Sequence, residues 1–460
     1  MKNKTFIIST LLSLVASTSF ADTPTSALEQ QVAKRAVFGQ NEPLDPSIQR
    51  QFVQVNGASG YLYQPKDSTN PKRSTAIMVM HVKLDYSTFP TCFAMEKRGY
   101  SVLCMKNTGK NLNEKLLDVY ASVKYLNALP EVKNVVLWGH SGGATLLSAY
   151  QMIAENGVKS CQDDNKITKC PDYLQGLIPA DAIIVADSNW GNATMGVLSL
   201  DPAVKEQDNG LLIEPTLDLY NVANGYNAQG NSDYSPEFIR KFQKAVAERN
   251  QTLLDLAQTR ANAITNGQGK FKDDEPFTVA GAGEMGPNNK LFLQDTRLLA
   301  HTKDKWTLVH KDGSETVQVV HSVRKPNTRG SFTGQLNLGA ENTTVKNYLI
   351  DRAIRLNADF GYDATGVYGV NWTSSYSSTV GNFTQIRVPS LMLGMTGNYE
   401  FLAAEEIYRQ SPAKDKQLAF IEGATHMYDT CKACERYDGE FGDTIKTLHD
   451  YADKWLNQRF

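Results

Sequence analysis

Residues Gly139-His140-Ser141-Gly142-Gly143 join an apolar run, Asn134-Val135-Val136-Leu137-Trp138, to the helix-forming stretch Ala144-Thr145-Leu146-Leu147-Ser148-Ala149-Tyr150. This is the one G-x-S-x-G pentapeptide in the chain. A buried strand, a sharp turn and a helix therefore follow one another, with a serine at the apex. Small residues on both sides let strand and helix approach closely, so the hydroxyl projects beyond the strand's C-terminal end, where the helix amides point. Ser141 is thus a nucleophile candidate. A strand this apolar is buried on both faces, which calls for a mostly parallel sheet with helices on each side.

The order of the other elements agrees with that demand. Phe52-Val53-Gln54-Val55 and Tyr61-Leu62-Tyr63 flank Asn56-Gly57-Ala58-Ser59-Gly60, a hairpin signal. Continuous apolar runs follow at Ala76–Met80, Tyr100–Cys104, Val135–Trp138 and Ala182–Ala186, the last ending in Asp187. Leu116, Leu117, Tyr120, Val123 and Leu126 have helical spacing and stop before Pro130. The helix after Ser141 has a natural stop at Asn156-Gly157. Alternation breaks off near Gly196 and resumes with Pro389–Leu393, then Leu418–Glu422, and closes with a helix carrying Ile445, Leu448, Tyr451 and Trp455.

Residues 196–370 read as an inserted cap or lid between a first core part, 22–195, and a second, 371–460. The insertion holds a long helix, with Ser235 as N-cap and Pro236 at its first position, running to about Ala263. It also holds a hairpin signal in which Lys311-Asp312-Gly313-Ser314 joins Trp306–His310 to Thr316–Val320. Gly281-Ala282-Gly283-Glu284-Met285-Gly286 matches G-x-G-x-x-G, but Pro287-Asn288-Asn289 follows, so no helix N-terminus is offered to a pyrophosphate. It reads as a loop.

Lys2 and Lys4, an apolar run from Phe6 to Val15, and Ser19-Phe20-Ala21 have the form of a secretory signal occupying residues 1–21 with a cut after Ala21. The run is shorter than the ~20 residues that span a bilayer, so a periplasmic or secreted protein without a lasting membrane anchor is expected. The chain has 47 basic and 49 acidic side chains, a balance that argues against a nucleic-acid partner. Six cysteines in an exported protein suggest disulfides, with Cys161–Cys170, Cys92–Cys104 and Cys431–Cys434 the plausible pairs. Cys431-Lys432-Ala433-Cys434 lacks the strand and helix start of a redox pair, and no second cysteine pair has zinc-type spacing. No metal or cofactor is expected.

A serine hydroxyl needs a base, and the base needs a group to orient it. Of the seven histidines, His426 stands out: Gly423-Ala424-Thr425-His426 follows the last strand and so reaches the edge where Ser141 lies. His140 is too close in sequence to turn back onto Ser141, and His301, His310, His321 and His449 read as structural or exposed. The acid is expected after the strand preceding the histidine strand, where Gly394–Phe401 makes Glu400 the first choice. Asp187 is the alternative; Glu405 and Glu406 look like exposed first-turn helix residues, and Asn398 stands where an aspartate is commonest. The amide of Gly142 and that of Val82, in the loop His81-Val82-Lys83, are the expected oxyanion donors.

Strand–His81, Gly-His-Ser141-Gly-Gly, the strand ending in Asp187, and Gly-Ala-Thr-His426 together resemble the α/β-hydrolase superfamily over residues 50 to 455. Leu200-Asp201-Pro202-Ala203-Val204, Asp218–Gly225 and Tyr234-Ser235-Pro236-Glu237-Phe238 are similar to a group of exported, capped hydrolases. The resemblance implies an eight-stranded, mostly parallel sheet, a serine–acid–histidine triad, and hydrolysis through an acyl-enzyme. A carboxylic ester of small or medium size is the expected substrate, with an amide, peptide, lactone or thioester open to the same steps. A binding protein that keeps the fold without turnover, and a thiol–disulfide protein using Cys431 and Cys434, are rivals from other classes. Dehalogenation would need an aspartate where Ser141 stands.

Overall fold

The computed structural model describes residues 48–206, 209–283, 290–327 and 339–460. The expected signal segment and its cut after Ala21 lie outside these residues, as do Glu284-Met285-Gly286 of the glycine-rich motif. Among the described residues no helix is long and apolar enough to cross a membrane.

The chain opens with the hairpin β1 (Ile48–Val55) and β2 (Ala58–Pro65). Then come β3 (Thr75–His81), α1 (Pro90–Glu96), β4 (Ser101–Lys106), α2 (Leu112–Asn127), β5 (Asn134–His140), α3 (Gly142–Asn156), β6 (Ala182–Ala186) and α4 (Asn192–Leu198). A middle stretch carries β7 (Val204–Glu206), β8 (Asn209–Ile213), the 30-residue α5 (Pro236–Thr265), β9 (Pro276–Ala280), β10 (His301–Val309), β11 (Glu315–His321), β12 (Ala340–Thr344), α6 (Val345–Asp351), β13 (Arg355–Tyr362) and β14 (Val367–Asn371). The end of the chain supplies α7 (Thr379–Phe383), β15 (Ser390–Met395), α8 (Phe401–Gln410), β16 (Lys416–Ile421) and α9 (Thr444–Asn457).

The central sheet has the order β1-β2-β4-β3-β5-β6-β15-β16-β10-β11. From β4 to β10 every pairing is parallel, and the hairpins at each end are antiparallel. Strand alternation sorts side chains into two cores. Met78 and Met80 of β3, Leu137 of β5 and Val185 of β6 pack with α2, α3 and α8. Ile77, Val79, Trp138 and Ile184 pack on the opposite side with α1 and α9. This double burial is why these strands are apolar at every position.

The 196–370 stretch divides in two. Its hairpin does not lie over the sheet but extends it: β10 runs parallel to β16 with Leu308 opposite Phe420 and Val309 opposite Ile421, giving ten strands rather than eight. Without β10, β16 would present an open row of amides and carbonyls. Glu405 fixes this join and corrects its reading as an exposed residue. It is 2% exposed and accepts hydrogen bonds from the amides of Lys303 and Asp304 and from the Trp306 indole. Elsewhere in the stretch, α5 packs against α6 and β13. The Ser235 hydroxyl caps α5 by accepting from the Phe238 amide.

Disulfides join Cys92 to Cys104, Cys161 to Cys170 and Cys431 to Cys434. The first ties α1 to its neighbouring strand β4, and the third closes the chain just beyond His426.

Candidate active site

Ser141 sits between β5 and α3 with φ 52° and ψ −131°. A non-glycine residue held there is strained by about 1–3 kcal/mol, so its surroundings must enforce it. They do. The Ser141 amide donates to the Asp187 carbonyl at 3.3 Å and its carbonyl accepts from Ala144. A Cβ on Gly143 would stand 2.6 Å from the Met80 carbonyl oxygen, and one on Gly139 2.6 Å from Ala144 Cα. Strand and helix can therefore meet this closely only through glycines. The Ser141 hydroxyl makes no cap to α3, so it is not spent on the helix it precedes.

Asp187 follows β6 at φ 47°, fully buried. Its Oδ1 accepts from the Met395 amide at 3.0 Å, and Oδ2 accepts from Asn398 Nδ2 and from His426 Nδ1, each at 2.7 Å. His426 sits in a loop closed by the Cys431 amide donating to the Gly423 carbonyl. Glu400 Oε2 lies 3.1 Å from the same Nδ1. Both expected acids therefore reach one ring nitrogen, Asp187 with the shorter contact. Among the described residues no hydrogen bond joins Ser141 to His426, although both line the same cavity; such contacts are often long before substrate binds.

The strand order and the strained serine between β5 and α3, with a histidine after β16 and acids after β6 and β15, are those of one architecture. The chain has the α/β-hydrolase fold. No family model and no curated protein matches it. Among solved structures it is similar to a hypothetical protein from Pseudomonas aeruginosa, at 14% identity and TM-score 0.40 over 92% of this chain and 99% of that one. It is also similar to Est1E from Butyrivibrio proteoclasticus, at 12% identity and TM-score 0.37 over 89% and 98%. Esterase B from Lactobacillus rhamnosis is similar at 9% identity and TM-score 0.39 over 94% and 95%. Likenesses at this level say nothing of reaction or substrate.

In this α/β-hydrolase fold the loop after β3 lies against the serine turn. Val82 Cγ1 would stand 2.6 Å from a Cβ on Gly142. His81 Nδ1 accepts from the amides of Lys83 at 3.0 Å and Leu84 at 2.8 Å, while Asn107 holds the His81 carbonyl. His81 thus folds the loop over itself and occupies those two amides. The cavity of about 330 Å³ is lined by His81, Val82, Ser141, Gly142, Asn398, Glu400 and His426, and also by Lys290, Leu293 and Asn327 from the middle stretch. Hollows of about 540 and 520 Å³ elsewhere on the surface are lined by no serine, histidine or cysteine.

Burial works against charge on His426, but the carboxylates of Glu400 and Asp187 outweigh it and hold the imidazole above the usual histidine range. Burial is also the largest effect on Glu400, and with Asp187 nearby it pushes that carboxyl up, against the pull of His426 and Lys290. His140, set aside from the chemistry by its position, proves to be a support. Its Nε2 faces the His426 carbonyl at 2.6 Å and so carries the proton, leaving Nδ1 to accept from the Tyr86 hydroxyl at 2.6 Å. Burial, with His426 and His81 close by, keeps His140 well below the usual range and neutral. Tyr86 escaped the sequence reading, because nothing local links a tyrosine after β3 to a histidine after β16.

Proposed function

We propose that the chain is an exported serine hydrolase that cleaves a carboxylic ester, or a related acyl bond, through an acyl-enzyme on Ser141. The observation that carries this reading is the hydrogen bond from His426 Nδ1 to Asp187, made in the cavity that also holds Ser141 at its strained turn. With the Nδ1 proton held by Asp187, Nε2 is the nitrogen left to act as base. It takes the Ser141 proton as Oγ bonds to the acyl carbon. The negative oxygen that forms is met by the amide of Gly142 and that of Val82, the loop amide that His81 does not engage. Collapse breaks the bond to the leaving alcohol, which takes the proton from His426. Water then enters by the same steps in reverse, releasing the acid and restoring Ser141.

In this reading Asp187 orients the imidazole. The wall formed by Lys290, Leu293 and Asn327 supports a role for part of 196–370 as a cap over the acyl or alcohol pocket. Three disulfides favour an oxidising compartment, in line with export. The test is turnover of p-nitrophenyl acetate and butyrate by wild type and Ser141→Ala. A fall in kcat/KM of ~10³-fold or more is expected. Equal turnover by the two proteins would overturn the assignment.

A further inference from the structure

His426 Nδ1 carries one proton, yet two carboxylates face it from the ends of neighbouring parallel strands. Asp187 Oδ2, after β6, stands at 2.7 Å and Glu400 Oε2, after β15, at 3.1 Å. Asp187 accepts the hydrogen bond from that N–H, and both its oxygens are satisfied by further donors. Glu400 is 5% exposed, and among the described residues its Oε2 is buried with no hydrogen-bond partner. Among the described residues its Oε1 has only the Tyr399 hydroxyl, at 3.3 Å. Leaving a carboxyl oxygen unsatisfied in such a place costs about 1–3 kcal/mol or more. A residue kept only for packing would not aim that oxygen at a base.

Building on the Ser141–His426 reading, we propose that Glu400 is a second positioning carboxylate for His426, sharing the stabilisation of the imidazolium with Asp187 and accepting the Nδ1–H hydrogen bond when Asp187 is removed. The charged and titratable groups facing Glu400 are His426, Asp187, Lys290 and Tyr399, with Tyr86 across the cavity. Burial, reinforced by Asp187, raises the Glu400 carboxyl to about 7, so it is part-protonated near neutrality while Asp187 stands beside it. Removing Asp187 removes one of the influences that keep Glu400 protonated. The replacement is then ionised just when it is needed. In the opposite direction, removing Glu400 deprives the imidazolium of a negative neighbour, so the imidazole loses its proton at lower pH.

Second-order rates of fluorophosphonate labelling, measured from pH 5 to 10, read activation of Ser141 without knowledge of the natural substrate. The comparison needs wild type, Glu400→Gln, Asp187→Ala and the double variant, each checked for folding by thermal melting. Glu400→Gln is expected to keep its plateau rate within ~10-fold and to move the rising limb down by on the order of one pH unit. Asp187→Ala should lose on the order of 10²-fold, and the double variant ~10⁴-fold, the loss typical of an unoriented histidine. Glutamine preserves shape at a carboxyl whose Oε2 makes no hydrogen bond, so the pH comparison stands even if Asp187→Ala does not fold. A limb unmoved by Glu400→Gln, or equal rates for Asp187→Ala and the double variant, overturns the proposal and leaves the serine reading intact. Wild type that does not label overturns both.

Discussion

His426 is the residue on which the site turns, and its surroundings set the pH at which it can work. Two carboxylates hold its proton more firmly than burial expels it, raising the imidazole from 6.5 to about 9. A base acts only when unprotonated, so kcat/KM should rise with pH through the alkaline side of neutrality and level off above about 9. A pH–rate profile on p-nitrophenyl butyrate checks this; a limb at the ordinary histidine position, ~6.5, would mean that the pull of the carboxylates does no more than offset burial. Tyr86 acts one step further away. Tyr86→Phe leaves His140 Nδ1 buried without its donor, a loss of about 1–3 kcal/mol. A lower melting temperature is expected, with labelling of Ser141 slowed less than ~10-fold, since His140 still holds the His426 carbonyl.

At the scale of elements, the serine turn depends on how closely β3, β5 and α3 approach. Gly143→Ala would drive a methyl to 2.6 Å from the Met80 carbonyl, a backbone atom that cannot swing aside. Destabilisation of about 1–3 kcal/mol is expected, together with slower labelling, because the shift displaces the loop that carries Val82. Chemical denaturation of the variant checks the first and fluorophosphonate kinetics the second. Much of this geometry was legible in the sequence. Apolar runs such as Ile77–Met80 and Val135–Trp138 announce strands buried on both faces, and glycines on either side of Ser141 announce the sharp turn. What was not legible depends on neighbours in space. The hairpin at Trp306–Val320 has the same local pattern whether it caps a sheet or extends one, and only its pairing with β16 decides. The acid was open for the same reason: β6 and β15 are adjacent, so a carboxylate after either strand reaches His426. The middle stretch also gave no sign that Lys290 and Asn327 would line the cavity that holds the serine.

At the scale of the molecule, ties of two kinds hold the site together. Arg352, 5% exposed, donates to the Asn192 carbonyl and pairs with Glu341, which lies 3.9 Å from Lys83 in the loop after β3. The middle stretch is thus bound to the start of α4 and to the loop after β3, which both line the cavity. Arg352→Ala should cost about 1–3 kcal/mol through its lost hydrogen bonds and packing, read as a fall in unfolding free energy. The buried disulfide between Cys92 and Cys104 holds α1 against β4, its ends 12 positions apart in the sequence. Replacing both cysteines by alanine should lower stability by about 2–4 kcal/mol, seen in the same titration, without abolishing labelling of the protein that remains folded. The central claim is that Ser141 is activated by His426 in the cavity at the strand ends. Its most direct test is intact-mass and peptide analysis of the mature protein after fluorophosphonate treatment. A single adduct on Ser141, absent from Ser141→Ala and His426→Ala, is the predicted result. A folded wild-type protein that stays unmodified, or carries its adduct on another residue, would contradict it.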